Sequence, residues 1–258
     1  MKELLIEKSK TIQIPVIIGT IKDLEAKGFQ KEDVFAPILI KDMVIGGSFF
    51  IDDYPKVIFI DTDILFEMQS AEFSSLIAYS MRFAMEYSTN LYGYIINHLY
   101  ELCDLEHETL EELFEEIYKV QRRILMNKTK EERRKISILE ALGDFYLSLD
   151  AFPESDSVAF GCITGAYYSY KKELLSTEDY YEIRDMFVPF GLSITQTRYD
   201  CKKLFDEFQA FLQSHEKKDD ILYLKKIGKM TDAFVPALDE GFNEDLFESV
   251  YFDESENA

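Results

Sequence analysis

Glu154-Ser155-Asp156-Ser157-Val158-Ala159-Phe160-Gly161 follows Pro153 and divides into two halves of different character. The first four residues are acidic or carry hydroxyls, as the opening turn of a helix does, and Ser155 or Asp156 is suited to be its N-cap. The last four are apolar or small, the composition of a packed helix face. Pro153 stops whatever helix comes before, so the stretch predicts a new helix that runs to about Leu175.

On its N-terminal side, Phe73, Leu76, Ile77, Ser80, Met81 and Ala84 recur at three- and four-residue steps, which is the period of a helix. Few breakers interrupt the chain from there to Asp150, and residues 108–127 and 130–149 read as two helices. On its C-terminal side, Ser176 with Asp179 has capping-box spacing, Gly191 suits the left-handed position after a helix, and residues 200–214 form a last helix. Residues 221–224 read as a short strand. At the front, the β-branched runs 11–18, interrupted by Pro15, and 56–60 read as strands, with turn chemistry at Gly46-Gly47 and Asp52-Asp53-Tyr54-Pro55 between them.

This order predicts a mainly α fold with three parts: a short α/β segment at 1–63, a helical domain at 64–236 and an acidic tail at 237–258. The tail intersperses Phe242, Phe247, Val250, Tyr251 and Phe252 among its acids and is expected to be solvated or loosely docked.

Composition limits the functions open to this chain. With 28 Lys plus Arg against 49 Asp plus Glu, the formal net charge of −21 repels phosphate backbones and anionic lipid, so neither nucleic acid nor membrane is an expected partner. The opening residues 1–8 are charged throughout, and no segment has the uncharged length of a membrane span; a cytoplasmic location is expected. Cys103, Cys162 and Cys201 are too few and too far apart for a disulfide framework or a zinc knuckle. His98, His107 and His215 are likewise too scattered for a zinc site or a catalytic triad.

Several short motifs carry a family resemblance. Val158-Ala159-Phe160-Gly161, Ile14-Pro15-Val16, Lys41-Asp42-Met43-Val44-Ile45-Gly46, Pro55 to Thr62, Leu142-Gly143-Asp144, Leu174 to Asp179, Phe190-Gly191-Leu192, His215 to Asp219 and Leu224 to Gly228 follow in order over most of the chain. Together they resemble 3-dehydroquinate synthase, the shikimate-pathway enzyme of aromatic amino acid biosynthesis that uses NAD and a divalent metal to cyclise a sugar-acid phosphate. The resemblance implies a dehydroquinate synthase-like helical domain behind a small α/β remnant of the nucleotide lobe.

It also implies which positions would have carried the chemistry. The metal-ligand Glu and two His of the family correspond to Tyr79, Asp144 and Glu154, and its active-site lysines to Arg82, Lys217 and Lys218. Its phosphate- and cofactor-contacting positions correspond to Asp23, Lys41 and Asp42; after Asp23 the small residues and the Lys of that loop are replaced by Leu24, Glu25, Lys27, Gly28 and Phe29. The chain begins just before the Ile-Pro-Val strand, Met1 reads as a natural start, and the 11 Gly include no dinucleotide fingerprint, so the NAD-binding lobe is expected to be missing. Neither cofactor, metal nor catalytic residue is therefore expected. A degenerate relative with a binding, structural or regulatory role is the expected function.

The alternative is a dehydroquinate synthase or sugar-phosphate cyclase-like lyase, possessing divalent metal and NAD, or one subunit of a split enzyme. In that case Tyr79, Asp144 and Glu154, with Asp156, would form an oxygen-rich cluster suited to Mg, Ca or Mn; helix capping and ordinary polar contacts are the other reading of the same residues. The 16 Tyr include Tyr167-Tyr168-Ser169-Tyr170 and Tyr180-Tyr181, which place rings on more than one helix face. As interfaces favour Tyr and the family dimerises, a homodimer or a complex with another protein is expected.

Overall fold

The β-branched run at residues 11–18 forms a strand because Val, Ile and Thr fit a pleated backbone better than a helix. The computed structural model, which describes residues 2–8, 10–30, 58–61, 70–127, 136–214, 221–231 and 243–252, contains that run within β2 (Lys10–Gly19). β2 pairs antiparallel with β1 (Lys2–Lys8) and parallel with β3 (Ile58–Asp61), giving the sheet order β1-β2-β3. β1 was not anticipated: its charged residues suit a sheet edge, and its strand character comes from a partner rather than from local composition. Lys56, Val57, the expected turns at Gly46-Gly47 and Asp52-Asp53-Tyr54-Pro55, and the expected boundary near Asp63 lie outside the described residues.

After β2 comes α1 (Ile21–Ala26), then α2 (Ser70–Tyr87), α3 (Thr89–Asn97), α4 (Leu99–Cys103) and α5 (His107–Asn127). Contacts divide the chain into two units, Met1–Leu76 with Asn97–Arg134, and Ile77–Ile96 with Lys135–Ala258. In the first unit, α5 buries Leu110, Leu113, Phe114 and Ile117 at helical spacing and packs against β1.

The second unit is built around α6 (Ile138–Ser148) and α7 (Glu154–Lys171). Every residue from Ser157 to Ala166 is buried, so α7 is enclosed on all sides, as its small and apolar composition requires. Two glycines allow this. A Cβ on Gly161 would lie 2.3 Å from the Gly143 nitrogen and 2.5 Å from its Cα, and one on Gly165 would lie 2.7 Å from Leu139 Cδ2. The two helices therefore meet backbone against backbone.

Around this pair stand α8 (Thr177–Asp185), α9 (Cys201–Ser214), the short parallel pair β4 (Ile136–Ser137) and β5 (Ile221–Leu222), and the hairpin of β6 (Leu224–Lys226) with β7 (Lys229–Met230). Gly228 in that hairpin has φ +83° and donates its N–H to the Met85 carbonyl at 2.7 Å; a Cβ there would meet Thr89 N at 2.3 Å.

The helix boundaries correct the sequence in four places. The helix expected from Lys130 begins at Ile138, because Ser137 caps it by accepting from Glu140 N at 2.9 Å and Ile136–Ser137 is engaged as a strand; residues 130–135 lie outside the described set. Neither Ser155 nor Asp156 is the N-cap of α7, which starts at Glu154 behind Pro153. α7 ends at Lys171 rather than near Leu175, where Glu173 turns to φ +58°. Gly191, at φ +72°, closes a separate 3-10 turn, Val188–Phe190, instead of α8 itself.

Of the two expectations for the acidic C-terminal stretch, a solvated tail or a loosely docked helix, the described part is a docked helix. Glu244–Ser249 is a 3-10 helix whose Leu246 and Phe247 are buried, with the Phe247 ring 6.1 Å from Phe145 and 6.2 Å from Phe208. Gln196 N donates to the Val250 carbonyl, and Phe252 N to the Gln196 carbonyl, fixing the segment after it. Burial of Leu246, Phe247 and Val250 outweighs the solvation of its acids. No helix among the described residues is long and apolar enough to cross a membrane.

Candidate functional site

α7 opens at a polar corner of the second unit. Glu154 is its first residue, and Pro153 before it has no side-chain acceptor with which to cap the helix, so the first turn presents a half-buried carboxylate at the positive end of the helix dipole. From α2, the buried Tyr79 reaches this turn and donates its hydroxyl to Glu154 Oε1 at 2.9 Å, joining residues 75 positions apart. Burial, then the accepting Glu154 carboxylate, push the Tyr79 phenol far above its ordinary range, so it stays neutral and stays a donor.

One turn further along α2, Arg82 packs its guanidinium 5.3 Å from the Tyr79 ring centroid. Arg82 is 4% exposed and its Nε lies 3.9 Å from Oε1 of Glu86, which is 5% exposed. That Nε makes no hydrogen bond, so the pair is held by charge more than by fork geometry. Burial opposes the cation most, yet the Glu86, Glu140 and Asp144 carboxylates more than offset it and the guanidinium is held charged. Glu86 in turn accepts from Ser137 Oγ, the same atom that caps α6. A polar chain thus runs Glu154, Tyr79, Arg82, Glu86, Ser137 across α7, α2 and the start of α6.

The positions singled out in the sequence separate into four groups. Tyr79, Glu154 and Arg82 come together, and Asp144 stands exposed on α6 near enough to influence both Tyr79 and Arg82 electrostatically. Asp156, the fourth member of the possible oxygen cluster, accepts from Ser193 N at 3.1 Å and Ser193 Oγ at 2.8 Å. Asp23 lies in the first unit, where its carboxylate accepts from Thr20 N and Thr20 Oγ1, both at 2.8 Å, and caps α1; these bonds hold its pKa below the usual aspartate value. Lys41, Asp42, Lys217 and Lys218 lie outside the described residues, as does His215.

Sequence reasoning missed Glu86, Ser137 and Glu140. Arg82 and Glu86 are four residues apart in an otherwise apolar helix, and that spacing was the available signal. None of the three cysteines is an activated nucleophile. Burial pushes the Cys162 thiol far up despite Arg82, burial and Glu248 push Cys201 to about 11, and burial and Asp104 raise Cys103.

A metal can be tested against the donors present. Among the described residues no three His, Cys, Asp or Glu side chains converge where they could hold an ion. The corner itself offers a neutral phenol already donating to a carboxylate, with a buried cation behind it, and this set lacks the nitrogen and sulfur donors zinc prefers. The residues do not fit the metal that the family resemblance implies.

This fold is similar to that of two sugar-phosphate cyclases. The 2-epi-5-epi-valiolone synthase of Streptomyces hygroscopicus subsp. jinggangensis 5008, with NAD+ and Zn2+ bound, aligns over 91% of this chain and 71% of its own, with TM-score 0.62 and 10% identity. A 2-deoxy-scyllo-inosose synthase complexed with carbaglucose-6-phosphate, NAD+ and Co2+ aligns over 86% of this chain and 70% of its own, with TM-score 0.61 and 13% identity. The chain accordingly has a mainly α, dehydroquinate synthase-like fold.

Two relatives narrow the relationship. The 3-dehydroquinate synthase of Pseudoalteromonas translucida (strain TAC 125) is 24% identical over 187 residues, 70% of this chain and 50% of the relative. That of Thermoanaerobacter pseudethanolicus (strain ATCC 33223 / 39E) is 20% identical over 180 residues, 68% and 51%. No protein-family model matches. The chain is a distant relative of 3-dehydroquinate synthase, and it spans about half the length of the curated relatives it matches.

Proposed function

We propose that this chain is a non-catalytic dehydroquinate synthase-like protein that acts in the cytoplasm as a binding, structural or regulatory partner, in a homodimer or in a complex with another protein. The observation that carries the reading is the Tyr79 hydroxyl bonded to Glu154 Oε1. Two of the three positions corresponding to metal ligands meet there and satisfy each other. Among the described residues no three His, Cys, Asp or Glu side chains converge to hold the electrophile that a lyase of this type requires, and the position corresponding to an active-site lysine is a buried arginine facing Glu86. Exposed Tyr100 and Tyr181 support the interaction role, since tyrosine contributes large contact area at small entropic loss.

The test supplies everything the relatives' chemistry uses. Protein purified from its own cells is incubated with NAD+, Zn2+ or Co2+, and the sugar-acid phosphate substrate of dehydroquinate synthase, and phosphate release is followed; a native mass spectrum of the same preparation reports bound species. The reading expects release at the rate of the protein-free control and a spectrum containing a dimer or a second protein. Release above the control would overturn it in favour of a cyclase, alone or as part of a split enzyme.

A further inference from the structure

The polar corner also links three helices of the second unit. A metal ion that takes ligands from several helices cross-links them, and its loss would leave inward-facing polar positions unsatisfied and the helix ends free to separate. Here the side chains of this corner are paired with one another. Tyr79 from α2 closes on Glu154 at the start of α7, its ring lies against Arg82, Arg82 faces Glu86, and Glu86 accepts from the Ser137 hydroxyl that caps α6. Each link is buried or half-buried, so solvent screens it less than a surface pair.

We propose that the chain Glu154, Tyr79, Arg82, Glu86, Ser137 is a metal-free strut that ties α2, α6 and the start of α7 together, so that the second unit folds and keeps its shape with no divalent cation. The inference rests on the non-catalytic reading of the same corner.

Thermal unfolding tests the strut without reference to turnover. Chelator-treated protein and protein with excess Zn2+, Co2+ or Mg2+ should share one Tm. A bound cation present well above its Kd would instead raise the Tm by several degrees. Tyr79→Phe removes only the hydroxyl and should lower the Tm by about 2–4 °C, the shift for one hydrogen bond in a chain of this size. Glu154→Ala should do the same, the double variant should lose little more than either single variant, and Glu154→Gln, which still accepts from Tyr79, should retain most of the stability.

Three results would overturn the strut: a metal-dependent Tm, a bound ion in the native mass spectrum, or additive losses in the double variant. An ion bound without phosphate release would remove the strut and leave the non-catalytic reading standing. Phosphate release would remove that reading itself.

Discussion

The second unit holds two regions under opposite constraints, the glycine contact of α6 with α7 and the polar corner at the start of α7. Where Gly161 faces Gly143, main chain touches main chain, and no residue other than glycine fits at 161. At the polar corner, Tyr79 of α2 bonds Glu154 at the start of α7, and the Arg82 guanidinium lies over the Tyr79 ring. A backbone contact has a single solution, because a Cβ cannot rotate out of the way. A polar contact has many, since any donor that reaches an acceptor satisfies both. The helix contact at Gly161 therefore tolerates one residue where the polar corner tolerates many.

Substitutions can break this contrast, and the largest effect should come from the buried ion pair. Glu86→Ala leaves the Arg82 guanidinium without its nearest carboxylate and should destabilise the second unit by about 3–5 kcal/mol in urea unfolding. The double change Arg82→Met, Glu86→Leu should recover most of that loss, because an apolar pair carries no desolvation penalty. If Glu86→Ala were silent, Arg82 would be reaching solvent and the strut would be open.

At the packing end, Gly161→Ala forces a Cβ against the Gly143 backbone and should lose about 1–3 kcal/mol, towards the upper figure because neither contact atom can move independently. Gly143→Ala is its control. The nearest atoms to a Cβ there are Arg82 Nη1 at 3.8 Å and Val158 Cα at 3.9 Å, so the change should be neutral or stabilising by up to about 1 kcal/mol through helix propensity. Equal losses at both glycines would mean that the helices do not meet in the register described.

The smallest effects sharpen the comparison by kinetics. Cys162 lies next to Gly161 inside the packed face, buried and with its thiol pushed far up, and should resist alkylation in the folded protein; exposed Cys103 should react first. Cys201, with a thiol near 11, should react slowly at neutral pH and faster as pH rises towards that value, since the thiolate is the nucleophile. Alkylation of Cys162 as urea is added then reports opening of the packed face.

How legible this was depended on the range of each interaction. The helix after Pro153, the Ser176 cap with Asp179 N at 3.0 Å, and the strand at residues 11–18 rest on neighbours within a few positions, and the sequence locates them well. β1 and the start of α6 were not legible, because Lys2–Lys8 becomes a strand through β2 and Ile136–Ser137 through Ile221–Leu222, 85 residues away. In the site, family resemblance marked Tyr79, Asp144 and Glu154, but nothing local says that the first bonds the third. Glu86 was overlooked because an acid in an apolar helix reads as an exception until its arginine and serine are seen.

The most direct test of a metal-free corner is a crystal structure of the protein grown with excess Zn2+, with anomalous data collected at the zinc absorption edge. The account predicts the Tyr79 hydroxyl still on Glu154 Oε1 near 2.9 Å and no anomalous peak between them. A zinc peak bridging Tyr79, Asp144 or Glu154 would contradict it.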